Sequence, residues 1–122
     1  MLNSNKYQDY NLIKSFKYAI RGAMLGISTE PSSKIQTALV IFFVTLNILF
    51  EKYEFALFHL MLGLMVLSQE VMNTSIEHIC DMITLEYNEK IKKIKDLAAG
   101  SVFLLAVAWG VLIILNIYKL WL

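Results

Sequence analysis

A chain of 122 residues has room for one domain, and 57% of its residues are apolar while only 17% are charged. Soluble chains run nearer half apolar and about a quarter charged, so the excess apolar surface needs lipid or a partner to cover it. A formal net charge of +1, with no basic patch interleaved with aromatics outside the apolar runs, argues against a nucleic-acid partner.

The first eleven residues, MLNSNKYQDYN, are polar. They have neither a continuous apolar h-region nor a small-residue cleavage pattern, so no removable signal peptide is predicted. From Leu12 onward, Ile13, Phe16, Ile20, Met24 and Ile27 recur at steps of three or four, with Lys14, Lys17 and Arg21 between them. That period predicts an amphipathic helix over residues 12–29. Such a helix can pack on a soluble core, but beside strongly apolar segments it is better placed in the membrane interface. Pro31 then biases Glu30 away from helix and suits the first turn of a new one.

Ile35 to Phe50 carries no charge and, extended to residues 34–51 with snorkelling ends, approaches the roughly 20 residues a span requires. The polar EKYE makes a turn, and a second long helix is expected over residues 55–83, apolar first and acidic in its last turns. The third span, residues 97–118, is the most apolar and ends at Lys119. Trp109, Tyr118 and Trp121 fall toward its far boundary; Trp109 is deep enough for helix packing instead. The expected fold is therefore an all-α membrane protein, a single domain over residues 1–122 with three spans and one surface helix. Lys6, Lys14, Lys17, Arg21 and Lys34 precede the first span, and Lys90, Lys92, Lys93 and Lys95 sit between the second and third. This bias puts the N-terminus and the second link in the cytoplasm.

Within the second span, Glu70, Asn73, Glu77 and Asp81 lie at about 0°, 300°, 340° and 20° around a helix, one narrow polar face. Glu77 stands about 10 Å and Asp81 about 16 Å along the axis from Glu70, too far apart for one compact ion site. A polar strip fits better, with Glu70 as a proton acceptor at the deep end and Glu77 holding a cation nearer water. The plainer reading is that the acids end the span and pair with lysines. Asn73 can orient Glu70, donate to phosphate, or act as polar glue between helices. Lys95 can neutralise a nucleotide phosphate and Asp96 can engage a cation, or both can be boundary charges. His59 and Cys80 read as packing residues, and no zinc signature, P-loop or nucleophile elbow is present.

The stretch EVMNTSIEHICD, an E-x-x-N-S/T-x-I-E-x-x-x-D pattern, followed by KDLAAGSV, resembles the small prokaryotic diacylglycerol kinase family, which includes undecaprenol kinases. The resemblance runs from SFKYAIRGAMLGISTE through the last span. It implies a bacterial inner or plasma membrane enzyme, a homotrimer with active sites shared between protomers. It further implies magnesium-dependent transfer of the ATP γ-phosphoryl group to the primary hydroxyl of a membrane lipid alcohol, diacylglycerol or undecaprenol. Glu70 matches the family's catalytic base, Glu30 and Glu77 its metal-binding acids, and Asn73 its active-site asparagine. Asp81, Lys95 and Asp96 match positions tied to nucleotide binding or site organisation, and Glu86 and Tyr87 an acidic and aromatic pair in the link. EPSSKIQ departs from the Arg-Asn-aromatic pattern common after the first acid, and Ser75 stands where alanine is common. The alternative, from another class, is a small noncatalytic membrane assembly protein whose acids pair across subunits.

Overall fold

The computed structural model describes residues 11–122, so the expected cytoplasmic N-terminal segment, Lys6 included, lies outside the described residues. Four helices follow in chain order: α1 (Leu12–Thr29), α2 (Pro31–Leu49), α3 (Tyr53–Ile83) and α4 (Glu89–Trp121). No strand occurs among the described residues. Three of the helices, α2, α3 and α4, are long and apolar enough to cross a membrane. The expected all-α membrane fold with an amphipathic first helix is what forms.

Local chemistry sets the boundaries. Asn11 caps α1, its Oδ1 accepting from the backbone N–H groups of Ile13 and Lys14 at 3.0 and 3.4 Å. Glu30 is extended (φ −95°, ψ 129°) and Pro31 opens α2, as the proline's steric demand on its predecessor requires. The α2–α3 turn closes with Glu51 in the left-handed region at φ 56°. There Lys52 N–H bonds Asn47 O at 2.7 Å and Glu51 N–H bonds Ile48 O at 3.1 Å, the paired pattern of a Schellman end with glutamate where glycine is usual. Asn88 caps α4 through Lys90 and Ile91. The cap explains why α4 starts at Glu89, ahead of the apolar stretch expected from Leu97: the lysines between are good helix formers although they are not lipid-soluble.

α3 is the central helix, packed on α2 along one side and α4 along another, while α1 lies against α2 and α3. At 1.5 Å per residue, its 31 residues reach about 46 Å and the 33 of α4 about 50 Å, against a hydrocarbon core near 30 Å. Both therefore overshoot the bilayer, and Glu77 and Asp81 of α3 and the lysines from Lys90 to Lys95 of α4 lie in the excess. The core is Val40, Val66, Val102 and Trp109. Gly63 lets α2 and α3 approach closely, since a Cβ there would collide with Val40.

At the α2–α3 turn end, a closed polar cluster ties three helices together. Asn47 and Asn116 exchange two amide hydrogen bonds of 2.8 Å, and Asn47 Nδ2 also donates to Phe43 O. Trp109 Nε1 donates to His59 Nδ1 at 3.0 Å, which leaves the ring proton on Nε2 to donate to Asn116 Oδ1, also at 3.0 Å. His59 is thus a packing residue, stacked at 4.8 Å on Phe43, and Trp109 is a buried bridge rather than a belt residue. Tyr118 and Trp121 are exposed near the end of α4.

Asn116→Ala strands donors on Asn47 and His59. It should cost about 1–3 kcal/mol, more than the ~0.6 kcal/mol average for an interhelical bond in lipid, read by reversible unfolding in micelles.

Candidate active site

Glu70 is the one acid among the buried residues of the described chain, only 9% exposed. It lies seventeen residues along α3 from Tyr53, about 25 Å on the axis, a little less than the roughly 30 Å thickness of a hydrocarbon core. Its Oε1 accepts from Gln36 Nε2 at 2.9 Å. Gln36 is the residue that sequence reasoning missed. Gln36 and Glu70 are equidistant in sequence from Tyr53, and so are Asn47 and His59 at the other end. The tight turn sets an antiparallel register that brings such positions level.

The orienting amide is thus on α2. Asn73, one turn further along α3, donates instead to Glu77 Oε1 at 3.3 Å. Each of the two amides therefore directs its nitrogen at a carboxylate. Three buried side-chain atoms lack a partner among the described residues: Ser33 Oγ, Gln36 Oε1 and Asn73 Oδ1.

Glu30 stands where α1 ends and α2 begins, and its side chain caps no helix N–H. It borders a cavity of about 340 Å³ together with Thr74, Ser75 and His78 of α3. That cavity shares Gly22, Val71 and Ser75 with an apolar groove of about 490 Å³ between α1 and α3, walled by Ala19, Ala23, Leu64 and Leu67. Gly26 makes the junction possible: a Cβ would fall 2.6 Å from Val71 Cγ2.

Asp81 accepts from Lys95 Nζ at 2.6 Å, joining α3 to α4, and Lys92 Nζ meets Asp96 Oδ2 at 2.6 Å within α4. Both lysines lie in the overshoot, before the apolar span. The hydrogen bonds to Asp96 and Asp81 hold Lys92 and Lys95, respectively, above the usual lysine range, so both stay cationic at neutral pH. Asp81, Lys95 and Asp96 border a cavity of about 380 Å³ whose other walls include Glu86 and Tyr87, so the positions expected near nucleotide do gather. No hydrogen bond or ion pair among the described residues joins that cavity's charges to Glu70 or Glu30. Cys80 is buried and free.

Among the described residues, no three of His, Cys, Asp and Glu gather as a metal cage. Glu30, bordering the cavity with Thr74, Ser75 and His78, and Glu77, accepting from Asn73, each carry hard oxygen donors of the kind a divalent cation takes.

Residues 17–117 match the sequence profile described as prokaryotic diacylglycerol kinase. The chain belongs to that family. Two relatives bracket it: a diacylglycerol kinase of Synechocystis sp., 33% identical over 100 residues, and an undecaprenol kinase of Bacillus subtilis, 36% identical over 100 residues. The first match covers 80% of this chain and 57% of the Synechocystis protein; the second covers 77% of each. Glu30, Gln36, Glu70, Asn73, Glu77, Asp81 and Asp96 all fall inside the matched residues.

Gly26→Ala should force α1 away from Val71, while Gly22→Ala, with open space around it, should not. Faster backbone amide exchange across α1 in the first variant alone checks this.

Proposed function

We propose that this protein transfers the γ-phosphoryl group of ATP to the primary hydroxyl of a membrane lipid, diacylglycerol or undecaprenol. The observation that carries the reading is a buried carboxylate, Glu70, at the level where an apolar groove gives way to polar cavities. Membership of the diacylglycerol kinase family supports it, as do the names of the two relatives.

In this mechanism the acceptor's apolar body lies along the α1–α3 groove and its hydroxyl reaches the level of Glu70. Glu70 accepts the hydroxyl proton as the oxygen attacks the γ-phosphorus and the bond to the ADP oxygen breaks. Lys95 and Asp96, with Asp81 steering Lys95, bind the nucleotide from the α3–α4 side. Glu30 and Glu77 would hold magnesium, which supplies positive charge to the phosphate oxygens. Asn73 keeps the Glu77 carboxylate in place.

The depth of Glu70 solves a meeting problem: lipid stays in hydrocarbon and ATP in water, and neither crosses the bilayer. We place the N-terminus and the α3–α4 link in the cytoplasm on the lysine bias, which puts this end of the bundle where ATP is. The assembly is a homotrimer in which the α4 charges of one protomer serve the Glu70 of another. The sparse burial of the apolar stretch of α4, 17% within one chain, supports that division.

The test is transfer from ATP radiolabelled in its γ-phosphate, in mixed micelles holding no added lipid, diacylglycerol, undecaprenol or a simple long-chain alcohol. Lipid-dependent product is expected, and the preferred acceptor identifies the substrate; intact oligomers with no transfer would favour a noncatalytic assembly role. Glu70→Gln should lower kcat by about 10²–10⁴-fold with assembly intact, and near-normal turnover would remove its assigned role. Glu77→Gln should raise the magnesium concentration needed for half-maximal rate; an unchanged magnesium profile would count against metal binding there.

A further inference from the structure

The buried polar groups at the two ends of this bundle are treated differently. At the turn end, the side-chain nitrogens and oxygens of Asn47, His59, Trp109 and Asn116 are satisfied within the chain. At the Glu70 end, Ser33, Gln36 and Asn73 each keep a buried atom without a partner among the described residues. Residues that serve only as helix glue are satisfied, because an unpaired buried polar atom opposes folding. Gln36 makes one bond and leaves its carbonyl oxygen unpaired, which glue does not require.

Its orientation is dictated by its neighbour. A carboxylate only accepts, so the amide must turn its nitrogen toward Glu70 Oε1, where it sits at 2.9 Å. The reverse orientation would set oxygen against oxygen. With Oε1 taken, Glu70 Oε2 has no hydrogen-bond partner among the described residues and is the oxygen open to an incoming hydroxyl. α2 and α3 are both continuous helices here, so the bond ties the carboxylate to rigid backbone rather than to a loop.

We propose that Gln36 is a positioning residue for phosphoryl transfer: its amide N–H holds one oxygen of Glu70 and so aims the other at the acceptor alcohol. This rests on the lipid kinase reading. In the step, the alcohol O–H bond breaks and its proton passes to Glu70 Oε2. The alcohol oxygen bonds the γ-phosphorus, and the electron pair of the broken P–O bond leaves with ADP. Gln36 gives and receives nothing. It acts through Glu70, so its loss lowers turnover without touching nucleotide affinity.

Two variants test it in the micelle assay, beside the wild type and Glu70→Gln. Gln36→Leu keeps the volume and removes the donor. It should lower kcat on the order of 100-fold, the cost of a misplaced reacting group, with the KM for ATP and oligomer elution unchanged and the unfolding midpoint lowered by the loss of Glu70's donor. Gln36→Glu keeps the shape and sets a second carboxylate against Glu70, so the pair needs a shared proton to restore the hydrogen bond. Its activity should survive on the acid side and fall as pH rises, displaced from the wild-type profile. Glu30, Glu77, Asp81 and Asp96, with His78 of α3 and Lys92 and Lys95 of α4, are common to both proteins, so the displacement isolates the new pair. A Gln36→Leu enzyme with wild-type kcat, or a Gln36→Glu profile that superimposes on the wild type, overturns the proposal. Should Gln36→Leu fail to assemble, the Gln36→Glu profile decides alone. Absence of lipid-dependent transfer in the wild type would sink the parent reading, whereas full wild-type transfer with an indifferent Gln36 sinks only this one.

Discussion

A carboxylate held nine-tenths out of water is the constraint around which the rest of the molecule is arranged. Buried carboxylate oxygens need hydrogen-bond donors, and α3 supplies none to Glu70 among the described residues. Gln36 supplies one. That contact works only if α2 and α3 keep their antiparallel register over about 25 Å, from the turn to the level of Glu70. The tight closure at Glu51 and Lys52 sets the register at one end, and the glycine contact between Gly63 and Val40 maintains it midway.

The polar cluster of Asn47, His59, Trp109 and Asn116 does related work at the opposite end. α2 and α4 pack mainly through α3, and the paired asparagines bring them into direct contact across it. In hydrocarbon, apolar side chains gain nothing from leaving lipid for each other, so register has to come from close packing and from directional polar bonds. A fully paired cluster far from the reacting end anchors all three spans without presenting a titratable carboxylate. The Glu70 end is left free to carry unpaired atoms, and the stability that such a site gives up is recovered where no substrate comes.

Much of this was legible in the sequence because helical period is written in single residues. Ile13, Phe16, Ile20, Met24 and Ile27 mark α1, and Glu70, Asn73, Glu77 and Asp81 fall on one face by arithmetic alone. The uncharged runs revealed three spans, and the acidic motif with the later K-D run revealed the family. What lay beyond reach was pairing between helices. Gln36 sits in an otherwise unremarked run, and its value depends on which α3 residue it meets. The symmetry of residues 36 and 70 about Tyr53 is the signal that could have found it. Asn73 shows the same limit: its place one turn from Glu70 is plain in the sequence, but that its amide meets Glu77, four positions on, is not. The lysines before Leu97 hid the first turns of α4 because hydropathy reports lipid solubility, whereas helix formation depends on backbone propensity and the Asn88 cap.

The chain's own geometry also argues for how the work is divided. Lys95 is committed to Asp81 and Lys92 to Asp96, pairings that hold the α4 charges at the α3–α4 edge. Glu70, the apolar groove and Glu30 belong to the α1–α2–α3 side. In the proposed transfer, a phosphoryl group must contact both an alcohol beside Glu70 and the cations that bind its nucleotide, so the two sets of residues have to converge. A second copy whose α4 docks against the first copy's α1–α3 face brings them together and covers apolar surface that one chain leaves open. In the proposed trimer, closed rotation repeats the same junction around the ring, so each protomer would give Glu70 to one neighbour and Lys95 to the other. Burial of the exposed apolar face of α4 and completion of the site are, on this arrangement, the same event.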